Sequence, residues 1–256
     1  MCRFLAYRGA PVLLETLVAA PSHSLIHQSL HATEAKTETN GDGFGIGWYG
    51  ERAEPGLYRE VRPAWSDENL RSLCAQVRAG LFFAHVRAAT GTATTRANCH
   101  PFASGRWMFM HNGQIGGWPV VRRRIENMIP DDLYHARQGT TDSEALLLTA
   151  MAAGLPGDPA RVMAETLQRI HALMQEAGVT DPLRFTAALT DGNRLWAFRW
   201  ASDHRPPTLY WREDADGLVV VSEPIDQHRI DWHTMPEGSV LESRPGEPVR
   251  VSLLAS

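Results

Sequence analysis

The chain has 256 residues, of which 43% are hydrophobic and 21% charged, with a formal net charge of −4. That is the balance of a globular protein able to bury one large core, and it is read as a single domain over residues 1–256 rather than a disordered or membrane-spanning chain. A mildly acidic chain has no field for gathering phosphates, which excludes nucleic acid as a first partner, and no apolar run is long enough to cross a bilayer.

In chain order, residues 3–7 read as a short strand and 13–19 as a helix that Pro21 stops. The glycine-rich NGDGFGIGWY at 40–49 reads as a turn feeding a strand, with glycines that would let a loop close over a ligand, and a second strand follows at 57–61. Residues 67–77 have helical periodicity, whereas the apolar runs LFFAHVRA at 81–88 and RWMFMHNG at 106–113 are buried strands. The run Arg122, Arg123, Arg124 is the solvated face of a helix.

Asp142, at a capping position, opens an Ala- and Leu-rich helix to Ala153, and Asp158 to Glu176 carries a second. From Phe185 onward, strand pairs with turn signals at Asp191-Gly192-Asn193 and Asp216-Gly217 suggest an antiparallel meander ending in VRVSLL at 249–254. Strands, then helices, then strands imply an α+β fold of packed sheets covered by helices.

The cysteines Cys2, Cys74 and Cys99 are odd in number and widely spaced, which fits a reducing compartment. With no secretory pattern in the first twenty residues, the expected location is cytoplasmic. His23, His27 and His31 share one helix face, but no carboxylate falls at a matching spacing and Leu25, Ile26 and Leu30 point to ordinary packing instead of metal binding. His85 and His111 read as core histidines of apolar strands.

Cys2 follows the initiator methionine, so removal of Met1 would leave a thiol and an α-amine on one residue. A free thiol titrates near about 8.5 and a free α-amine near about 7.7–8.0, so such a pair can exchange a proton close to neutrality. The set MCRFLAYRG at 1–9, NGDGFGIGWY at 40–49, FFAHVRAATGT at 82–92, NCHPF at 98–102, HNGQI at 111–115 and TTDSEALLL at 140–148 occurs in that order.

This set resembles the class II glutamine amidotransferases, the N-terminal-nucleophile family. It is most similar to their stand-alone branch, which includes the amidotransferase subunit of the fungal glutathione-degradation complex and the bacterial γ-glutamyl hydrolase of ergothioneine synthesis. Ser222-Glu223-Pro224 extends the likeness. The resemblance implies a four-layer αββα sandwich in which Cys2 begins a central strand and no cofactor is needed. It implies that Cys2 attacks a γ-glutamyl amide to form a thioester, with the oxyanion held by Asn112 and the backbone N–H of Gly113.

By the same resemblance Arg87 and Asp142 hold the carboxylate and ammonium of the substrate head, with Thr90 in the binding set. The sequence Arg-Ala-Ala-Thr-Gly-Thr at 87–92 lacks the tryptophan and histidine of synthase-linked relatives, which implies a roomier pocket. The partner is then a small molecule, glutamine or a γ-glutamyl compound. The alternatives are a glutaminase subunit delivering ammonia to a separate synthetase, and a non-catalytic γ-glutamyl-binding relative; a separate synthetase or peptidase subunit is the expected kind of protein partner.

Overall fold

In the computed structural model, which describes residues 2–34, 39–89 and 91–254, the opening strand β1 runs Arg3–Leu13. Its length leaves only one turn, α1 (Glu15–Val18), of the helix expected at 13–19. There follow α2 (Leu25–Leu30), β2 (Phe44–Trp48), β3 (Gly56–Glu60), α3 (Glu68–Gln76), β4 (Arg78–Val86), β5 (Phe102–Ser104) and β6 (Trp107–Gln114). A helical stretch comes next: α4 (Trp118–Glu126), α5 (Asp131–Tyr134), α6 (Asp142–Ala152) and α7 (Pro159–Glu176). The chain ends in β7 (Arg184–Thr190), β8 (Leu195–Ala201), β9 (Tyr210–Glu213), β10 (Gly217–Val221), β11 (His233–Thr234), β12 (Ser239–Ser243) and β13 (Arg250–Leu253).

Among the described residues these strands form two antiparallel sheets, ordered β11-β9-β10-β1-β4-β2-β3 and β13-β12-β8-β7-β6-β5. Strand alternation separates three apolar layers. Leu5, Tyr7 and Phe82 pack beneath Val18, Leu25 and Leu70 of the first three helices. Phe109, Phe185 and Phe198 pack beneath Val121, Leu147 and Val162 of the later helices. Phe4, Ala6, Phe83, Met108, Met110 and Ala188 fill the gap between the sheets. The architecture is the four-layer αββα sandwich, with β1 at the centre of its sheet.

Two expectations need correction. The C-terminal strands are not one meander: β7 and β8 lie in one sheet, β9 to β11 in the other, and β12 and β13 return to the first of these. Turn signals fix a local reversal, but they do not say which sheet a hairpin joins. The cap of α6 is Thr141, whose hydroxyl accepts from the Glu144 N–H at 3.2 Å, and Asp142 is the next residue in. The helix at 67–77 is capped by Asp67, which accepts from the Leu70 N–H at 2.7 Å, and α7 is capped by Asp158.

The start of β1 is anchored from behind. Arg3 and Glu223 are both fully buried, with Nη1 of Arg3 at 3.9 Å from the Glu223 carboxylate and 3.2 Å from the Ser222 carbonyl. Glu223 also accepts from His23 Nε2 at 2.6 Å, from the Thr33 N–H at 2.9 Å, from the Thr33 hydroxyl, and from the Glu34 N–H at 3.0 Å. His23 is thereby committed to a carboxylate. The rings of His23, His27 and His31 follow one another at 5.4 and 5.7 Å. Among the described residues no group of three or more His, Cys, Asp or Glu could hold a metal ion.

Burial works against ionisation of Glu223, yet the donors from His23, Thr33 and Glu34 bring its pKa down to about 2. A carboxylate depressed in the folded state contributes stability above its unfolded pKa of about 4.3 and loses it as pH falls towards the folded value. At about 1.4 kcal/mol per pKa unit, the Glu223 contribution is about 3 kcal/mol. Denaturant melts between pH 5 and pH 2 are expected to converge for the parent and Glu223→Gln as the pH falls. Curves that stay parallel across that window would contradict the assignment.

Candidate active site

The alternation that buries Phe4 and Ala6 between the sheets directs Cys2, which immediately precedes β1, to the same side. It does likewise for Arg87, two residues beyond His85 on the β4 row that starts with Leu81 and Phe83, and for Asn112, two beyond Met110 on β6. β1 and β6 face one another across the gap. Three of the residues expected at the site thus extend the inter-sheet rows towards one end of the sandwich.

Cys2 Sγ lies 3.5 Å from the Ala88 N–H and 3.6 Å from the Ala88 carbonyl. Burial raises the thiol pKa, opposed by the Ala88 N–H and by the positive charges of Arg87 and Arg3. The Ala88 segment is held by Asp42, a residue whose role sequence reasoning missed. Its carboxylate accepts from the Ala89 N–H at 2.8 Å, its own N–H donates to the Arg87 carbonyl at 3.0 Å, and its carbonyl accepts from Arg87 Nη1 at 3.3 Å. An aspartate just before a glycine at φ +115 was a usable signal, because such residues grip neighbouring backbone. Two other glycines of that motif are packing residues: Gly45 and Gly47 lie within β2, where a Cβ would meet the His100 carbonyl and Met108 Sδ, whereas Gly41 precedes the strand.

Asn112 is 1% exposed, and neither its Nδ2 nor its Oδ1 has a partner. A buried amide left so costs about 1–3 kcal/mol, which makes it a strong candidate for a group reserved for a ligand. The Asn112-Gly113 pair lies inside β6, not in a hairpin turn. A side chain at Gly113 would collide with the Arg184 carbonyl and His111 Nε2, so glycine is fixed there by close approach.

Three buried histidines lie near this end of the sandwich, His85 and His100 together and His111 on the helix-covered face of β6. His85 and His100 stack with ring centroids 4.2 Å apart, and their ring nitrogens lack partners. Burial lowers His85 to about 3 and holds His100 well below its ordinary value. His111 is also lowered by burial, and its ring nitrogens lie 2.9 Å from the Ser143 hydroxyl and 3.1 Å from the Arg184 carbonyl. A neutral imidazole with so low a pKa is a poor base at neutral pH.

Asp142 stands at the first turn of α6. Its Oδ2 accepts from the Ile115 N–H at 2.8 Å and its Oδ1 from the Ser143 N–H at 2.8 Å. It lines a cleft of about 210 Å³ with Thr92, Gln114, Ile115 and Trp118. Cys2, Asn112 and Arg87 are not on that lining, and Arg87 touches it through Thr92, whose hydroxyl accepts from Nη2 at 2.7 Å. Thr90 lies outside the described residues.

Comparison with known proteins bears on this geometry. The family described as "Glutamine amidotransferases class-II" matches residues 13–205. The "Probable glutamine amidotransferase DUG3" of Saccharomyces cerevisiae is 32% identical over 94% of this chain and 81% of its own length. The "Gamma-glutamyl-hercynylcysteine sulfoxide hydrolase" of Mycolicibacterium smegmatis is 29% identical over 97% of this chain and 98% of its own. A solved glutamine aminotransferase class-II domain protein from Silicibacter pomeroyi superposes over 100% of both chains, with TM-score 0.80 and 38% identity. The glutamine phosphoribosylpyrophosphate amidotransferase of B. subtilis shares the fold, at TM-score 0.67 and 15% identity, over 100% of this chain and 49% of its own.

The raised thiol pKa has a direct readout. In protein that keeps Met1, alkylation of Cys2 by iodoacetamide is expected to accelerate only above about pH 8.5, the free-thiol range. A midpoint below that range, read by peptide mass spectrometry, would show the thiol is activated without a freed amine.

Proposed function

The chain belongs to the class II glutamine amidotransferase family, and on that premise we propose that it hydrolyses the γ-glutamyl amide bond of glutamine or a γ-glutamyl compound, with Cys2 as nucleophile once Met1 is removed. The observation that carries the reading is the buried, partnerless amide of Asn112 on the strand facing the one Cys2 precedes. It is a hydrogen-bond donor held ready for an oxygen that becomes charged during the reaction.

In the proposed cycle the α-amine of Cys2 takes the thiol proton, a role that burial of the sulfur and the low basicity of the neighbouring histidines leave to it. Sulfur attacks the carbonyl carbon of the γ-amide, and the oxyanion accepts from Asn112 Nδ2 and the Gly113 N–H. The carbon–nitrogen bond then breaks, the departing amine takes up the proton, and water hydrolyses the γ-glutamyl thioester to glutamate and free thiol. Arg87, Thr90 and Asp142 hold the amino-acid head, which fixes the reacting carbon relative to the sulfur.

The names of the mycobacterial relatives favour a leaving group larger than ammonia. The yeast relative's name fits glutamine as the substrate; the second reading, a glutaminase subunit that delivers ammonia to a separate synthetase, predicts low activity for the chain alone. The free state of Cys2, Cys74 and Cys99 supports the reducing, cytoplasmic setting.

Two variants test the mechanism. Cys2→Ala is expected to abolish release of glutamate from glutamine, glutathione and other γ-glutamyl amides assayed side by side, and activity surviving in it would end the proposal. Asn112→Leu is expected to lower kcat by roughly 10²–10³ while leaving the melting temperature unchanged or raised, because it removes an unsatisfied buried amide. A large loss of stability with little loss of kcat would assign Asn112 to the fold instead.

A further inference from the structure

A second cleft, of about 310 Å³, lies in the helix layer between α6 and α7. Thr149 and Ala152 line it from α6 with Ala153 just past the helix end, Glu165, Thr166 and Arg169 line it from α7, and Met128 beyond α4 completes the lining. Short side chains at 149, 152, 153 and 166 leave a gap that interlocking ridges of larger residues would fill. None of Cys2, Arg87, Asn112 and Asp142 borders this cleft, and Thr149 stands about two turns along α6 from Asp142.

Both threonines carry uncommitted hydroxyls. Thr149 is 2% and Thr166 3% exposed, and neither Oγ1 has a hydrogen-bond partner. A helical threonine has an acceptor close at hand in the carbonyl four residues earlier, here that of Ala145 or Val162, and both hydroxyls forgo it. One such orphan is an isolated defect. Two of them, on neighbouring helices that border one cleft, mark a place where a polar ligand supplies what the chain does not.

The charges at the cleft select the sign of that ligand. Glu165 is already held by Arg161, whose Nη1 donates to the two carboxylate oxygens at 2.7 and 2.8 Å. Arg169, one turn further along α7, is exposed and has no such partner among the described residues. Its guanidinium is the uncompensated charge at the cleft, and a planar fork of donors matches a carboxylate. Met128, Ala152 and Ala153 offer apolar contact to a short carbon chain. We propose that this cleft binds a small organic carboxylate with a second hydrogen-bonding group, an amino acid or a hydroxy acid: Arg169 holds the carboxylate, and the Thr149 and Thr166 hydroxyls hold the other group. Both hydroxyls are shielded from solvent, but threonine populates two χ1 rotamers in helices, so a small rotation turns each towards the ligand. The site stands apart from γ-glutamyl hydrolysis, whose machinery it does not touch.

Methyl NMR of the full chain, labelled at methionine, alanine and threonine, tests this with L-glutamate and L-malate as probes. The signals of Met128, Thr149, Ala152, Ala153 and Thr166 are expected to shift saturably with at least one of the two acids at millimolar concentration, and to stay in place with malamide, the uncharged diamide of malate. Arg169→Gln, a change at an exposed position, is expected to weaken that binding about tenfold. The double variant Thr149→Val, Thr166→Val is expected to weaken it by a similar factor, with a melting temperature unchanged or raised because two buried orphan hydroxyls are gone. The proposal is overturned by shifts confined to the candidate active site, by an equal response to malamide, or by binding that neither variant alters. A lowered melting temperature in the threonine double variant overturns it too, because the hydroxyls then serve the fold.

Discussion

The packing of Phe4, Ala6 and Phe83 against Met108, Met110 and Ala188 fixes how the two sheets face each other, and the candidate site depends on it. Facing sheets stand about 10 Å apart, a gap that side chains from both must fill. Because strand side chains repeat every two residues, the apolar rows that set this gap also determine which residues emerge at its end. Cys2, Arg87 and Asn112 are the next members of three such rows. A slip of one residue in β1 would send Cys2 to the helix-covered face and bring Arg3 into the gap.

That register is held by polar anchors as well as by apolar packing. Glu223 gathers donors from His23, Thr33 and Glu34 and an ion pair with Arg3, the first residue of β1. On the other side of Cys2, Asp42 binds the backbone of residues 87 and 89. The residue between them, Ala88, makes both backbone contacts to the sulfur. Buried networks of this kind resist rearrangement, since breaking one member strands a buried charge or donor. They hold the start of a strand in place where an end would otherwise fray.

Much of this was legible in the sequence, for reasons that differ from residue to residue. The apolar runs at 81–88 and 106–113 named their strands because both faces are buried, and the periodicity at 67–77 named a helix that Asp67 proves to cap. The ordered motifs pointed to the αββα architecture, whereas the hairpin signals after Phe185 did not say which sheet each pair would join. At the site, Asn112 and Asp142 were visible as residue types, but neither the lack of partners around Asn112 nor the two backbone donors to Asp142 follows from local sequence. Asp42 and Thr92 escaped notice because their importance lies in contacts with Arg87, 45 and 5 residues away.

The unsatisfied polar atoms follow a physical logic of their own. Asn112, His85 and His100 are buried with both polar side-chain atoms unpartnered, while other orphans such as Thr149 on α6 and Thr166 on α7 lie in the helix layer. Residues that break the packing rule without compensation concentrate where a protein must meet something other than itself. His111, by contrast, has groups in reach of both ring nitrogens on the helix-covered face of β6, so burial alone does not produce the orphans. The difference between His111 and its neighbour Asn112 is one step of strand alternation. That step separates a side chain that ties the sheet to α6 from one that faces the gap beyond Met110, where an amide with no other commitment is free to bind a developing negative charge.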